Sequence, residues 1–190
     1  AASPVAADGT TESADLSNLT GSGEEYLVLA DNSGTVNATG KENTSINLTN
    51  TDLNSQYAVE AEFGGQINLG DSSTKSINIT ATGENPTAVM AYRGGAKVNI
   101  TGDDVHIISH GVNYADGIWA QSNDVNRTNP SAININAKNT VIDVSTDKAT
   151  FDGGENQAIG IVSYSGSTVN ITGNLTVNAG TAISTRGNSE

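Results

Sequence analysis

The sequence predicts an all-β fold, a right-handed parallel β-helix with three strands per turn and about five to six turns. Three observations carry this expectation. First, the stretch AVMAYRGGAKVNITG, residues 88–102, returns in altered copies at residues 27–40, 58–70 and 160–173. Second, apolar and polar residues alternate with period 2 within each copy, and the apolar ones are mostly Val and Ile. That pattern belongs to strands and fits no amphipathic helix. Third, the copies recur at about 30 residues, the length of one solenoid coil.

Composition agrees with this class. Of 190 residues, 35% are hydrophobic and 4% aromatic, little for a compact globule. A solenoid needs less, because each coil buries a thin core against its neighbours. Regular Val/Ile alternation from residue 26 onward argues against disorder. The net charge is −13, from 8 basic and 21 acidic residues. Nucleic acid, anionic membrane surfaces and polyuronates are therefore poor partners. There is no cysteine, so disulfides, thiolate metal sites and cysteine nucleophiles are excluded. No apolar run approaches the roughly 20 residues of a membrane span, and no membrane insertion is expected. The opening AASPVAADGTTESAD looks like the new end left when a signal peptide is removed at small residues.

Residues 1–25 are rich in Ala, Ser, Thr, Gly and acids, without periodicity. They read as a flexible leader or as the polar cap of the solenoid, which residues 26–190 form. First-strand anchors are Val28, Val59, Val89, Ile118, Ile161 and Ile183, at steps of 31, 30, 29, 43 and 22. Second-strand anchors are Val36, Ile67, Val98, Ile133 and Val169. Third strands follow at residues 45–49, 76–80, 105–108, 140–144 and 174–177. Alternation points Val98 and Ile100 inward, Asn99 and Thr101 outward. Gly64-Gly65, Gly94-Gly95 and Gly166 mark the corner after the first strand, where positive φ or close packing is needed. The fourth turn is longer by roughly 13 residues than the usual 30. Its excess lies at residues 121–131 and 146–157, as surface loops that are either neutral insertions or part of a working face. The chain stops one strand into a further turn, so a truncated solenoid, the N-terminal piece of a longer protein, is expected.

The repeated (V/I)-N-(I/L)-T and A-V-x-A-x-x-G-G units, with the leader, the acidic balance and the missing cysteine, resemble the passenger of a bacterial autotransporter. The resemblance covers residues 26–190. It implies an exported β-helix on the bacterial cell surface, anchored in the outer membrane by a C-terminal barrel outside this chain, and an adhesive role. Partners would be a host-surface protein or glycan, or the same protein on a neighbouring cell.

Catalytic motifs are weaker. Asn50-Thr51-Asp52, Gly102-Asp103-Asp104 and Ser109-His110-Gly111 are similar to polygalacturonase signatures. Their spacing departs from that family, with His110 only six residues after Asp104, and turn aspartates are the plainer reading. Gly70-Asp71-Ser72-Ser73 lacks the last glycine of a serine-protease loop, and two histidines lend a triad little support. Asp103 and Asp104 offer carboxylates for weak calcium binding, but six or more oxygen ligands are not evident in the sequence. Nine Asn-x-Ser/Thr sequons, among them Asn37, Asn99 and Asn170, read as by-products of strand alternation. No catalytic residue, metal or cofactor is expected.

The outward columns say more. If the first-strand anchors point inward, Glu60, Met90, Trp119 and Val162 stack outside. Glu62, Tyr92, Gln121, Tyr164 and Arg186 form the next column. Coils lie about 4.8 Å apart, so Met90, Trp119 and Val162 should touch, flanked by Tyr92 and Tyr164. These five residues are the expected binding site, an exposed apolar patch with aromatic anchors. The alternative is that a fourth-turn insert folds over them, through Phe151 for instance. Three functions remain open: a non-catalytic adhesin or self-association module, a polysaccharide-degrading β-helix enzyme, or an inert stalk.

Overall fold

The computed structural model describes residues 3–124, 126–148 and 157–190. Among these residues there is no α-helix, only a 3-10 turn at Lys41–Asn43. Strands β1 (Val5–Asp8), β4 (Val28–Asp31), β7 (Tyr57–Glu62), β10 (Thr87–Tyr92), β12 (Ala115–Gln121), β14 (Ala158–Tyr164) and β16 (Thr181–Arg186) build one parallel sheet. Strands β2 (Thr11–Ser13), β5 (Thr35–Ala38) and β8 (Gln66–Leu69) stack on the second side. Strands β3 (Leu19–Ser22), β6 (Ser45–Leu53) and β9 (Ser76–Gly83) stack on the third. From β11 (Lys97–Gly111) through β13 (Ala132–Thr146) to β15 (Thr168–Asn178), the second and third strands run together as one bent strand. The chain is a β-solenoid of stacked parallel strands.

The register follows the anchors. Val28 pairs with Val59, Val59 with Val89, Val89 with Ile118, Ile118 with Ile161 and Ile161 with Ile183. The 43-residue step is absorbed without a slip, because a one-residue slip would turn every apolar side chain outward. Val28 to Ile161 of this column, with Ala30, Ala61, Ala91 and Ala120, fill a continuous core, whereas Ile183, in the last strand, is 56% exposed.

Two features differ from the sequence reading. In residues 1–25, read as a leader or a polar cap without periodicity, β1, β2 and β3 form a coil of the same solenoid, with Ala7, Leu16 and Leu19 in the core. Strands of three or four residues are too short to show a period. Asn43 staples this coil to the next, its Oδ1 accepting from Leu16 N at 2.8 Å and its Nδ2 donating to Ala14 O at 2.9 Å. The second difference concerns the sequons. Asn37, Asn68, Asn99, Asn134 and Asn170 form an amide ladder along the stack, with N···O distances of 2.8, 3.0, 2.9 and 2.9 Å. The asparagines are held by each other, as in other in-register strand stacks.

The corner after the first strand explains its glycines. Gly94 sits at φ +67°, where a Cβ is strained. A Cβ on Gly65 would lie 2.0 Å from Ala30 O, so there the requirement is close approach of coils.

Candidate functional site

The outward face of the first sheet is built by register. Glu60, Met90, Trp119, Val162 and Ser184 lie in one column. Glu62, Tyr92, Gln121, Tyr164 and Arg186 lie in the next. A third column, Tyr57, Thr87, Asp116 and Ile159, flanks them on the other side. Alternation alone would put this third column inside. It faces out because two consecutive residues face the core at Ala58-Val59, Ala88-Val89, Gly117-Ile118 and Gly160-Ile161. The signal in the sequence was the small residue before Val59, Val89, Ile118 and Ile161.

The face is a groove of two adjoining hollows. One, of about 440 Å³, is lined by residues including Tyr57, Glu60, Glu62, Met90, Tyr92 and Trp119. The other, of about 350 Å³, is lined by Trp119, Ile159, Val162, Tyr164, Ser184 and Arg186. Trp119 is common to both. All five residues expected from the sequence thus come together in this groove. Their exposure differs from the expected bare patch. Met90 is only 9% and Val162 only 4% exposed, while Trp119, Tyr92 and Tyr164 are half-buried. Coils 4.8 Å apart let stacked side chains cover one another. Met90 and Val162 form the floor, and the rings form the walls.

The walls are fixed. Trp119 Nε1 donates to Gln121 Oε1 at 3.0 Å. Tyr92 meets Phe63 edge-on at a centroid distance of 6.0 Å, and the Arg93 guanidinium lies 4.8 Å from the Tyr92 ring centre. Both geometries are favourable ring contacts.

The floor also carries buried acid. Burial, and then a hydrogen bond to Glu62, pushes the Glu60 carboxyl up to about 8. Glu62 is raised as well, chiefly by burial. Burial pushes Asp116 up to about 7, against a hydrogen bond from Thr87 that lowers it. Burial, and then the nearby Glu60, raises the Tyr57 phenol to about 12. Desolvation disfavours the charged form in each case.

The first insert is tied elsewhere. Asp124 Oδ2 accepts from Asn129 N and Thr128 Oγ1, both at 2.9 Å. Arg127 reaches Thr168 at 2.9 Å and Glu190 at 2.6 Å, at the second-strand corner. Among the insert's described residues, only Gln121 lines the hollows around Trp119. Most of the second insert, with Phe151, lies outside the described residues.

The polygalacturonase-like residues are dispersed. Leu53 pairs with Gly83 at one end of the third strand, and Asp104 with Ser76 at the other. Asp52 is thus about seven residues from Asp104 along the sheet, roughly 20 Å. Asp52 accepts from Ser22 Oγ at 2.6 Å, and Asp103 lies between Lys75 at 3.6 Å and Lys138 at 3.5 Å. His110 instead bridges Ser145 Oγ, 2.7 Å from Nδ1, and Asp147, 2.9 Å from Nε2. The 35-residue step from second strand to second strand brings His110 beside Ser145, a pairing that motif spacing did not show. This Ser-His-Asp chain is reversed relative to a hydrolase triad, with the serine on Nδ1, and its His and Asp side chains are 43% and 59% exposed. Among the described residues, no three His, Asp or Glu side chains are grouped as a metal site requires.

No protein-family model, curated protein or solved structure matches this chain.

Proposed function

We propose that this chain is a non-catalytic recognition module, an adhesin or self-association domain of an exported bacterial passenger displayed at the cell surface. The observation that carries this reading is the groove on the first sheet, where Met90, Tyr92, Trp119, Val162 and Tyr164 converge from three successive coils. Repeats otherwise dominate the sequence, and the groove is where aromatic side chains depart from the ladder of Asn, Thr and Ser. Tyr and Trp are the usual anchors of recognition surfaces. No helix among the described residues is long and apolar enough to cross a membrane. Export and anchorage through a barrel outside this chain rest on the resemblance to autotransporter passengers.

The test is adhesion or aggregation of cells or beads carrying the chain. Changing Trp119, Met90 and Tyr92 to Ser abolishes it if the groove is the contact surface. An unchanged phenotype in a folded variant removes this assignment, and no binding by the native chain favours an inert stalk.

Polysaccharide cleavage is the second reading, favoured by one observation. Glu60 holds a proton near neutrality beside Trp119, as a general acid does. Against it, Glu60 and Glu62 are hydrogen-bonded to each other. Glycosidase carboxyl pairs stand about 5 Å or more apart, with the scissile bond between them. New reducing ends released from a polysaccharide, and lost in Glu60→Gln, would favour this reading.

A further inference from the structure

We propose that the two hollows flanking Trp119 form a single groove for an uncharged oligosaccharide, lying along the coil stack with a sugar unit on each side of the indole. This rests on the recognition reading above and names the ligand class.

Three observations lead there. The first is the shape. Both hollows are lined by Trp119, and together they run over the coils of β7, β10, β12, β14 and β16. An elongated, segmented trough suits a chain of similar rings better than a compact metabolite. The second is the chemistry of the lining. Apolar Met90, Val162 and Ile159 share the lining with hydrogen-bonding Glu60, Gln121 and Ser184. A pyranose offers the same mixture, an apolar C–H face that packs on an aromatic ring and a rim of hydroxyls. The rings that would receive it are already held, Trp119 by Gln121 and Tyr92 by Phe63 and Arg93. Rigid walls reduce the ordering entropy of binding.

The third observation is charge. The first hollow carries Glu62, with Asp31 and Glu25 nearby, and Glu60, which resists ionisation beside them. Two cations stand by the groove: Arg186 in the lining at the far end, and Arg93 stacked on the Tyr92 ring. The chain as a whole stands at −13. A ligand spanning both hollows therefore gains nothing from negative charge, which disfavours uronates and sialylated or sulfated glycans. A second copy of the chain on this face would bring its own −13 charge against the same carboxyls.

Trp119 is the only tryptophan, so its emission reports the groove directly. The experiment titrates the full chain with neutral gluco-, manno-, xylo- and chito-oligosaccharides of two to six units. Oligogalacturonate and sialyllactose serve as acidic controls. The expected result is a saturable emission change with one neutral series, with affinity increasing from two to four units. Tyr92→Ala weakens it at least tenfold, and Tyr164→Ala weakens only the longer ligands. Circular dichroism confirms that both variants are folded. Acidic sugars binding as well as neutral ones overturn the proposal, as does silence across all neutral series. If sugars are silent while adhesion persists and still depends on Trp119, the sugar assignment fails and the recognition surface stands, with a protein or a second copy as its partner. If adhesion is absent too, both fail.

Discussion

Replacing Glu60 with Gln should stabilise the protein at neutral and alkaline pH and leave it unchanged in acid. Glu60 is 8% exposed, and burial followed by the Glu62 hydrogen bond lifts its pKa from 4.5 to about 8. A raised acid pKa means that the folded state binds the proton more tightly. The native protein therefore loses stability as pH climbs from about 4.5 through about 8, and the loss is complete above that window. Near pH 7.5 the full linkage is about 4 kcal/mol. The groove is open to water at Glu62 and Gln121, which screens the charge, so about 2 kcal/mol is the working figure. Gln is neutral throughout and donates to Glu62 as the protonated acid does. For a chain of this size, about 2 kcal/mol raises Tm by roughly 4–8 °C. The assay is thermal unfolding of both proteins from pH 4.5 to 9. Glu25 and Asp31 remain in both proteins and largely cancel in the difference, whereas Glu62 and Tyr57, which Glu60 itself shifts, titrate differently in the variant, so the difference reports Glu60 together with Glu62. A Tm difference that does not vary with pH, or a Gln variant less stable at pH 8, would refute the reasoning.

Two further substitutions test the frame that holds the groove. Asn99 donates to Asn68 and accepts from Asn134, so Asn99→Ala leaves two half-buried amides short of a partner; a loss of about 1–2 kcal/mol is expected by denaturant titration, against a smaller one for Asn170→Ala at the exposed end of the ladder. Gly65→Ala forces a Cβ to within 2.0 Å of Ala30 O and should destabilise by about 3 kcal/mol or more, enough to lower the yield of folded protein.

The fold was legible because a solenoid repeats its constraints. Val28, Val59, Val89, Ile118 and Ile161 share one buried environment, and five consecutive pairings, the last to the exposed Ile183, confirm the reading. The same register made the Met90–Trp119–Val162 column legible before any coordinates. What escaped was whatever broke the period. The first coil has strands too short to alternate visibly, and its core contacts Leu16 and Leu19 stand among polar residues. Tyr57, Thr87 and Ile159 were missed as groove residues because the double inward step before each anchor shifts parity. The amide ladder was invisible for a different reason. Asn side chains bond between coils about 30 residues apart, and nothing local distinguishes them from sequons. Likewise, burial of Met90 depends on neighbours above and below it, which exposure read from one strand cannot contain.

The most direct measurement is adhesion by cells displaying the native chain, Trp119→Ser, Tyr92→Ser, or Asn78→Ala as a control on the third side of the coil. The account predicts that both groove variants lose adhesion while the Asn78 variant, which alters only an exposed amide bonded to Asn47 at 3.0 Å, keeps it. Full adhesion by folded Trp119→Ser and Tyr92→Ser proteins would contradict it and move the contact surface off the first sheet.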